Sequence, residues 1–430
     1  MRQRTWFRLV IVVLLAVVGV GCALLGLRED LQTLGQASLI EGRVGGVAAA
    51  SNPVCVLLLK DEGPGAKKRI VAQQIVYPPE TFRFLQPPGS YYLLAFEDAD
   101  QDLVMQAEER VGWYGQPTAI AVTGDGRAVT DLLVELRGAD QARLELPQLY
   151  APTVPRIGIE TASRYLHAGE VVPLDDPRFA GNVGEMGMWE PVKFLEQYGG
   201  GVFFLEPFAK DKIPVLFVHG MGGSPQNFRF LIDQLDHDRF QPWVMQYPSG
   251  LRLSLSASAM ARLLRELHLR HGFDRLHIVA HSMGGLVARE AINQLTRQQS
   301  PLVATFVSLS SPWQGHPGSR TGVEKSPVVI PCWYDMAPGS PFLQALPQTP
   351  LPEGTDYYLF FSHKGESALF AGESSDGTLP LSSMTDLAMQ DAARKVLAFS
   401  ESHAGMLTSP EVAQRLNRLL SSPGGTDRSP

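Results

Sequence analysis

Short apolar runs recur through the second half of the chain, and segments with helical periodicity separate them. Apolar runs bounded by turns predict strands that are buried on both faces, as in a parallel sheet. These runs lie at residues 213–218, 242–246, 276–281, 303–309 and 356–361. Helical patterns fall between them, near residues 225–235 and 255–271 and from Leu286 onward. The alternation predicts an α/β fold with a doubly wound, mostly parallel sheet.

The first half of the chain has a different pattern, with short alternating runs between residues 38 and 136. Four of them are clear, and Pro- and Gly-rich turns such as Pro87-Pro88-Gly89 separate them. They lie at residues 54–59, 81–85, 91–96 and 119–122. Regular spacing of short strands predicts a small all-β sandwich.

The segment from Leu276 to Val287 carries the strongest chemical signal. An apolar strand leads into Ser282, which is followed by Met283, two glycines and a helical pattern. A serine on a sharp strand-to-helix turn has a strained backbone and needs small neighbours two positions away, here Ala280 and Gly284. The pattern predicts a nucleophile elbow, with the backbone N–H of Met283 as an oxyanion donor. A phosphate-binding loop or a simple turn remains the alternative for this spacing.

This segment resembles the elbow of the α/β-hydrolase fold lipases and esterases, although Ala280 stands where glycine is commoner. The resemblance extends to the loop His219-Gly220-Met221-Gly222-Gly223, which follows the apolar run at 213–218. In that family a loop at this position supplies the second oxyanion donor, so the resemblance implies the N–H of Met221. His219 is expected to brace the loop.

The resemblance also implies an acid and a base, in the chain order serine, acid, histidine. Asp376 lies in a polar turn after the run at 356–361, and His403 precedes the last helical segment. They are the implied acid and base. The rival acids are Glu373, Asp356 and Asp386, and the rival bases are His363 and His316.

These patterns divide the chain into segments. We predict a signal or anchor at 1–29, a β-sandwich module at 30–150 and a connector packed on the catalytic domain at 151–211. An α/β-hydrolase domain follows at 212–420, with a Pro-rich cap insertion at about 310–352, and a disordered tail at 421–430.

The amino terminus has the composition of an export or anchoring signal. Basic residues precede an uncharged stretch from Leu9 to Leu27. Its length is close to that of a membrane-spanning helix, while the sequence ending in Gly21-Cys22 also resembles a bacterial lipoprotein signal. We expect lipidation of Cys22, with an uncleaved helix or a plain cleaved signal as alternatives. Each alternative places the body of the protein outside the cytoplasm, and either anchored form predicts a cell-envelope location.

Charge and cysteine content narrow the partners. The net charge of −7 without a long basic run argues against nucleic acid. Besides Cys22 the chain has Cys55 and Cys332, which we expect to be buried small apolar residues rather than a disulfide.

One acidic cluster has the offsets of a calcium loop. Asp98, Asp100, Asp102 and Glu109 fall at positions 1, 3, 5 and 12, but Leu103 occupies the position that wants glycine. The pattern favours a solvated acidic hairpin, and no metal site is predicted.

The sequence therefore predicts a membrane-anchored serine hydrolase that cleaves acyl or lipid esters through a Ser-His-Asp triad and an acyl-enzyme. This chemistry requires no metal or organic cofactor. The alternative from another class is a surface lipoprotein that uses a hydrolase-like fold for binding alone.

Overall fold

The computed structural model of the protein describes residues 24–49, 51–61, 68–101, 105–106, 108–115, 117–138, 166–298, 300–365 and 373–421. Cys22, Asp102 and the predicted tail beyond residue 421 lie outside the described residues.

Two facing sheets form the β-sandwich that the sequence predicts. Their strands are β1 (Ser38–Gly45), β2 (Val54–Lys60), β3 (Arg69–Val76), β4 (Thr81–Gln86), β5 (Gly89–Glu97), β6 (Val111–Trp113), β7 (Ile120–Val122) and β8 (Val129–Glu135). One sheet has the order β4-β1-β8, and the other has the order β3-β2-β5-β6 with β7 beside β5. Ile40, Phe82 and Val134 from the first sheet meet Val56 and Leu93 from the second in a fully buried core.

An eight-stranded sheet forms the centre of the rest of the chain. Its strands are β9 (Leu166–Val171), β10 (Gly200–Phe204), β11 (Ile213–Val218), β12 (Phe240–Gln246), β13 (Leu276–His281), β14 (Val303–Leu309), β15 (Asp356–Ser362) and β16 (Lys395–Phe399). Their order is β16-β15-β14-β13-β11-β12-β10-β9, and every neighbouring pair is parallel except β10 with β12. The predicted doubly wound, mostly parallel sheet is confirmed.

Helices cover both faces of this sheet. They are α1 (24–36), α2 (Gly181–Trp189), α3 (Pro191–Tyr198), α4 (Arg229–Asp233), α5 (Leu253–His271), α6 (Met283–Arg297), α7 (Pro317–Lys325), α8 (Pro331–Met336), α9 (Pro341–Ala345), α10 (Leu381–Met384), α11 (Leu387–Ala392) and α12 (Pro410–Ser421). Leu264 of α5 and Leu286 of α6 lie in the core on one face, and Leu231 of α4 and Leu416 of α12 in the core on the other. Gly272 ends α5 with a φ of +62°, in the left-handed region that favours glycine.

The outer side of the β-sandwich packs against α5. Six residues of β2 are buried in succession, because alternate side chains face the sandwich core and the outer cluster that Leu269 of α5 joins. Arg265 of α5, only 5% exposed, pairs with Glu80 at 3.1 Å, and Arg262 donates to the Gln73 carbonyl at 2.6 Å. The module is therefore fixed to the α/β domain by apolar and charged contacts.

The N-terminal helix α1 packs against the α/β domain. Leu27 is fully buried in the core that contains α5 and α6, and Leu31 packs beside it. Asp30 accepts hydrogen bonds from the N–H groups of Val192 and Lys193, at 2.7 and 3.3 Å. The boundary predicted between residues 29 and 30 thus falls inside a helix.

The segment predicted as a connector adds two strands to the central sheet. β9 and β10 lie at its edge, and α2 and α3 lie between them in sequence. β9 is hard to identify from sequence because an edge strand is half exposed and lacks a continuous apolar run. The central sheet consequently begins before residue 212.

Cys55 and Cys332 are both buried, and no disulfide joins them. Within the described residues, no helix combines the length and the apolar character needed to cross a bilayer.

His277 provides a test of core packing. Its imidazole lies fully buried in β13, edge-on to Phe240, and neither ring nitrogen has a hydrogen-bond partner among the described residues. Burial, aided by nearby Arg275, lowers the pKa of His277 to about 4, against about 6.5 in an unfolded chain. Unfolding therefore takes up a proton between these pH values. The free energy of unfolding does not depend on His277 titration above pH 6.5, and it decreases as pH falls from 6.5 towards 4.

We expect His277→Leu to weaken this acid sensitivity. The slope of the free energy of unfolding against pH between pH 6.5 and 4 should decrease by about 1.4 kcal/mol per pH unit. Urea unfolding at several pH values measures it, with the exposed His363→Leu as the control. An unchanged slope in the core variant would show that His277 does not titrate on unfolding.

Candidate active site

Ser282 lies at the turn between β13 and α6. Its backbone has φ +54° and ψ −130°, a strained conformation for a residue with a side chain. Its N–H donates to the Leu309 carbonyl of β14 at 2.8 Å, which fixes the turn to the sheet. A Cβ on Gly284 would lie 2.4 Å from the carbonyl oxygens of Val218 and His219, so only glycine fits there. The local structure is the strand, serine and helix that the sequence predicts.

The loop at 219–223 lies against this turn. A Cβ on Gly220 would lie 3.0 Å from the Cβ of Ser282 and 3.5 Å from its Oγ. The loop follows β11, so Met221 and Met283 both belong to backbone segments that converge at Ser282. Met283 is the first residue of α6, where N–H groups have no partner within the helix.

Two side chains that sequence reasoning missed hold the loop in place. The Tyr247 hydroxyl donates to the His219 carbonyl at 2.6 Å, and Gly222 N–H donates to Ser249 Oγ at 2.9 Å. Tyr247 and Ser249 are both buried and follow directly after β12. His219 stacks on Tyr247 with ring centroids 4.3 Å apart, and burial lowers the pKa of His219 to about 4. The neutral ring thus braces the loop, as predicted.

Asp376 and His403 form a direct pair. His403 Nδ1 lies 2.7 Å from Asp376 Oδ2, and Thr378 and Leu379 donate their N–H groups to Oδ1 at 3.0 and 2.7 Å. Burial raises the pKa of Asp376, but these hydrogen bonds outweigh it and hold the pKa below its usual value. The carboxylate is therefore ionised, and it selects the tautomer with the proton on Nδ1 and a free lone pair on Nε2.

A second hydrogen bond to Asp376 comes from a residue that the sequence did not identify. Ser362 Oγ, at the end of β15, donates to Asp376 Oδ2 at 2.8 Å. The Oγ of Ser310, just after β14, lies 2.7 Å from the Oγ of Ser362, and both serines are fully buried. Only their places after two neighbouring strands of the sheet could have indicated them, because parallel strand ends converge at one edge.

His281 connects the pair to the elbow. Its Nε2 donates to the His403 carbonyl at 3.0 Å, and the two rings lie 4.6 Å apart. Since His281 precedes Ser282 directly, this contact brings His403 beside the elbow. Ser282 and His403 are not hydrogen-bonded to each other in the described part of the chain, and such contacts are often long in a free enzyme.

Three of the rival acids and bases make local structural contacts, and the other two are exposed. Asp356 pairs with Arg394 at 2.7 Å, Asp386 accepts from Met389 N–H at the start of α11, and Glu373 is exposed. His363 is exposed. His316 accepts from Gly318 N–H at 2.9 Å and thereby begins α7.

The predicted insertion at 310–352 packs firmly on the domain. It contains α7, α8 and α9, and its apolar residues Ile330 and Cys332 are fully buried in the main core. The carboxylate of Asp335, which is 1% exposed, accepts hydrogen bonds from two side-chain nitrogens of Arg252 and from the N–H of Leu253 at the start of α5. The Sγ of Cys332 lies 3.8 Å from the Sδ of Met221, so the insertion contacts the loop at 219–223.

The acidic cluster in the β-sandwich differs from the predicted solvated hairpin. Asp98 and Glu109 are buried, and their carboxylates lie with that of Asp100 within 4.8 Å of one another. Glu109 accepts from the N–H groups of Ala99 and Gln106, and burial raises its pKa to about 7. These backbone contacts close the hairpin, which explains why the side chain is buried.

Comparison with known proteins gives one family match and several similar solved structures. Residues 215–425 match the sequence profile of the alpha/beta hydrolase family. Among solved structures, lipase BlEst2 of Bacillus licheniformis is 17% identical, with 51% of this chain and 97% of that one covered and a TM-score of 0.40. The lin2722 product of Listeria innocua is 16% identical, with coverages of 49% and 94% and a TM-score of 0.38. Phospholipase PlaB of Legionella pneumophila is 17% identical, with coverages of 40% and 45% and a TM-score of 0.34.

A search of curated protein sequences gives no match. The family assignment rests on the profile match, together with the strand order and the strand–serine–helix turn described above. Residues 215–425 of this chain belong to the alpha/beta hydrolase family.

Proposed function

We propose that the protein is a serine hydrolase that cleaves carboxylic esters, with Ser282 as nucleophile, His403 as general base and Asp376 as the orienting acid. The observation that carries the proposal is the Asp376–His403 pair, 2.7 Å apart and linked through His281 to the strained turn at Ser282. Structural ion pairs are common, but one that leaves an imidazole lone pair beside a strained serine suits nucleophilic catalysis.

In the proposed reaction, Nε2 of His403 takes the proton of Ser282 while Oγ attacks the acyl carbon. The carbonyl oxygen gains negative charge and accepts hydrogen bonds from the N–H groups of Met221 and Met283. His403 then protonates the departing alcohol, which leaves an acyl-enzyme on Ser282. Water, deprotonated by His403, attacks the acyl carbon, and the carboxylic acid leaves as Ser282 regains its proton.

The backbone supplies much of the proposed transition-state stabilisation. Each oxyanion donor in such a site contributes about 2.7–4 kcal/mol. The contacts of Tyr247 and Ser249 with the loop at 219–223 support this role, because a donor must be held in place before charge develops. Ionised Asp376 would stabilise the imidazolium that forms on His403.

The proposed substrate is an acyl ester of a lipid, and the proposed location is the cell envelope, with the chain anchored at its amino terminus. The apolar cap insertion in contact with Met221 supports an acyl substrate. The uncharged stretch from Leu9 to Leu27 supports the anchor.

Labelling with a fluorescent fluorophosphonate and turnover of p-nitrophenyl esters of graded chain length test the proposal. The wild-type chain should be labelled and should hydrolyse the esters, with faster turnover of the longer acyl chains. Labelling should be lost in Ser282→Ala and greatly reduced in His403→Ala. A folded wild-type protein that is neither labelled nor active would favour the binding-only alternative.

Ser362 should influence catalysis through Asp376. Ser362→Ala removes one of the two hydrogen-bond donors to Asp376 Oδ2. We expect kcat to fall about 10- to 100-fold, which corresponds to the free energy of one hydrogen bond to a charged group, and KM to stay unchanged. Ser310→Ala, one hydrogen bond further away, should have a smaller effect. Steady-state kinetics on the two variants measure this order, and equal losses would contradict it.

A further inference from the structure

Helix α1 has an apolar face directed into the hydrolase domain. Leu24, Leu27, Leu31 and Leu34 recur at helical spacing and are buried or half-buried, whereas Arg28 and Glu29 between them are exposed. Leu27 is fully buried in the same core as the central sheet. The helix is thus an integral part of the hydrolase domain.

Polar contacts fix the position of α1 along α3. The carboxylate of Asp30, 8% exposed, accepts from the first N–H groups of α3 at 2.7 and 3.3 Å. A Cβ on Gly26 would lie 2.9 Å from the side chain of Glu190, which joins α2 to α3. Rotation or sliding of α1 would break both contacts.

Helix α2 in turn packs directly on the proposed oxyanion loop. A Cβ on Gly184 would lie 2.2 Å from the carbonyl oxygen of Gly223, and one on Gly222 would lie 3.5 Å from Met188 Sδ. A single pair of helices, α2 and α3, therefore separates α1 from the loop that contains Met221.

The uncharged stretch of the sequence ends inside this docked helix. Leu24, Leu25 and Leu27 are its last apolar positions; Leu27 is fully buried, Leu24 is half-buried and Leu25 is exposed. The fifteen residues from Leu9 to Ala23 remain, and as a helix they would span about 23 Å. The hydrocarbon core of a bilayer is roughly 30 Å thick, so a spanning helix is disfavoured and an acylated Cys22 is favoured.

We propose that α1 is a tether that joins the membrane anchor to the hydrolase without a flexible linker and holds the α2–α3 side of the domain against the membrane. The substrate is then a lipid ester of that same membrane. The inference rests on the proposed ester hydrolysis and on the proposed anchor. In the sequence only Ala23 separates Cys22 from Leu24, the first described residue of α1. Leu25, in the first described turn, is 61% exposed and lies where it would meet the bilayer surface.

A linker insertion tests the tether. The full chain is reconstituted in phosphatidylethanolamine and phosphatidylglycerol vesicles that contain a long-chain fluorogenic ester, either in the same vesicles or in separate ones. A twenty-residue Gly-Ser linker, spanning about 25 Å, is placed between Ala23 and Leu24, and the control carries the same linker after Ser421. Turnover of water-soluble p-nitrophenyl acetate is measured in parallel.

Wild type and control should hydrolyse the ester of their own vesicles at least about tenfold faster than that of separate vesicles, through the high local concentration. The linker between Ala23 and Leu24 keeps the chain on its vesicle but releases its orientation, so it should lower hydrolysis of the ester in the same vesicles several-fold below that of the control linker and leave p-nitrophenyl acetate turnover unchanged. An unchanged advantage would overturn the tether. Absence of p-nitrophenyl acetate turnover in wild type would instead overturn the proposed function.

A readout independent of catalysis keeps the two failures separate. Trp189, at the end of α2, should be quenched by brominated lipids in the wild-type protein, with Trp189→Phe used to subtract the other tryptophans. The linker after Ala23 should weaken this quenching. Mass spectrometry of the mature amino terminus should show diacylated Cys22, and its absence together with equal quenching would contradict the proposal.

Discussion

Ser282→Ala is expected to lower kcat for ester hydrolysis by about a millionfold, because no acyl-enzyme can form without the hydroxyl. The fold should be retained, since alanine keeps the Cβ and adds no strain at the φ of +54° that serine already adopts. Substrate binding should persist, because the cap and the loop at 219–223 are untouched. Single-turnover and steady-state kinetics with a p-nitrophenyl ester measure the loss.

Ser258→Ala is the matched control for this experiment. Ser258 is exposed on α5, and its hydroxyl donates only to the Ser254 carbonyl in the same helix. Its activity and thermal melting should equal those of wild type. Residual activity in Ser282→Ala within tenfold of wild type would mean that another residue performs the attack.

Asp376→Asn is expected to lower kcat by about 10⁴-fold, the effect known when the acid of such a triad is neutralised. The amide can present an N–H to His403, which favours the tautomer with the proton on Nε2 and removes the base facing Ser282. The negative charge that would stabilise the imidazolium is lost as well. KM should change little, since Asp376 is 1% exposed and lies beneath the site.

The rival carboxylates supply the controls for Asp376. Glu373→Gln alters the same loop, and Asp386→Asn alters the start of α11, each without touching His403. Both variants should retain activity within a few-fold of wild type. If either of them lost activity as strongly as Asp376→Asn, the assignment of the acid would be wrong.

The local features of the site could be predicted because each leaves a signal in neighbouring residues. An apolar run, a serine and two glycines require the turn at Ser282, and Gly272 ends a helix where glycine is favoured. The buried strands β11 and β13 show as apolar runs because both of their faces are covered. Asp376 and His403, which are 27 residues apart, could be paired only through the family resemblance.

Features that depend on contacts between distant segments could not be predicted. Ser362 and Ser310 are ordinary serines in sequence, and the packing of two strand ends brings them to Asp376. The acidic hairpin was expected to be solvated, yet Glu109 is buried because it accepts two backbone N–H groups. The sequence divides helix α1 between the predicted signal and the β-sandwich module, because the apolar face of the helix continues the uncharged stretch that precedes it.

The contact between the β-sandwich and α5 makes the two domains one unit in unfolding experiments. Removal of the sandwich would uncover Leu269 of α5 and leave Arg265 without Glu80, whereas removal of the hydrolase domain would expose the apolar cluster of the outer sheet. Newly exposed apolar surface favours aggregation. Truncated chains would then lose activity through misfolding, so the roles of the two domains are separated by single surface substitutions rather than by deletion.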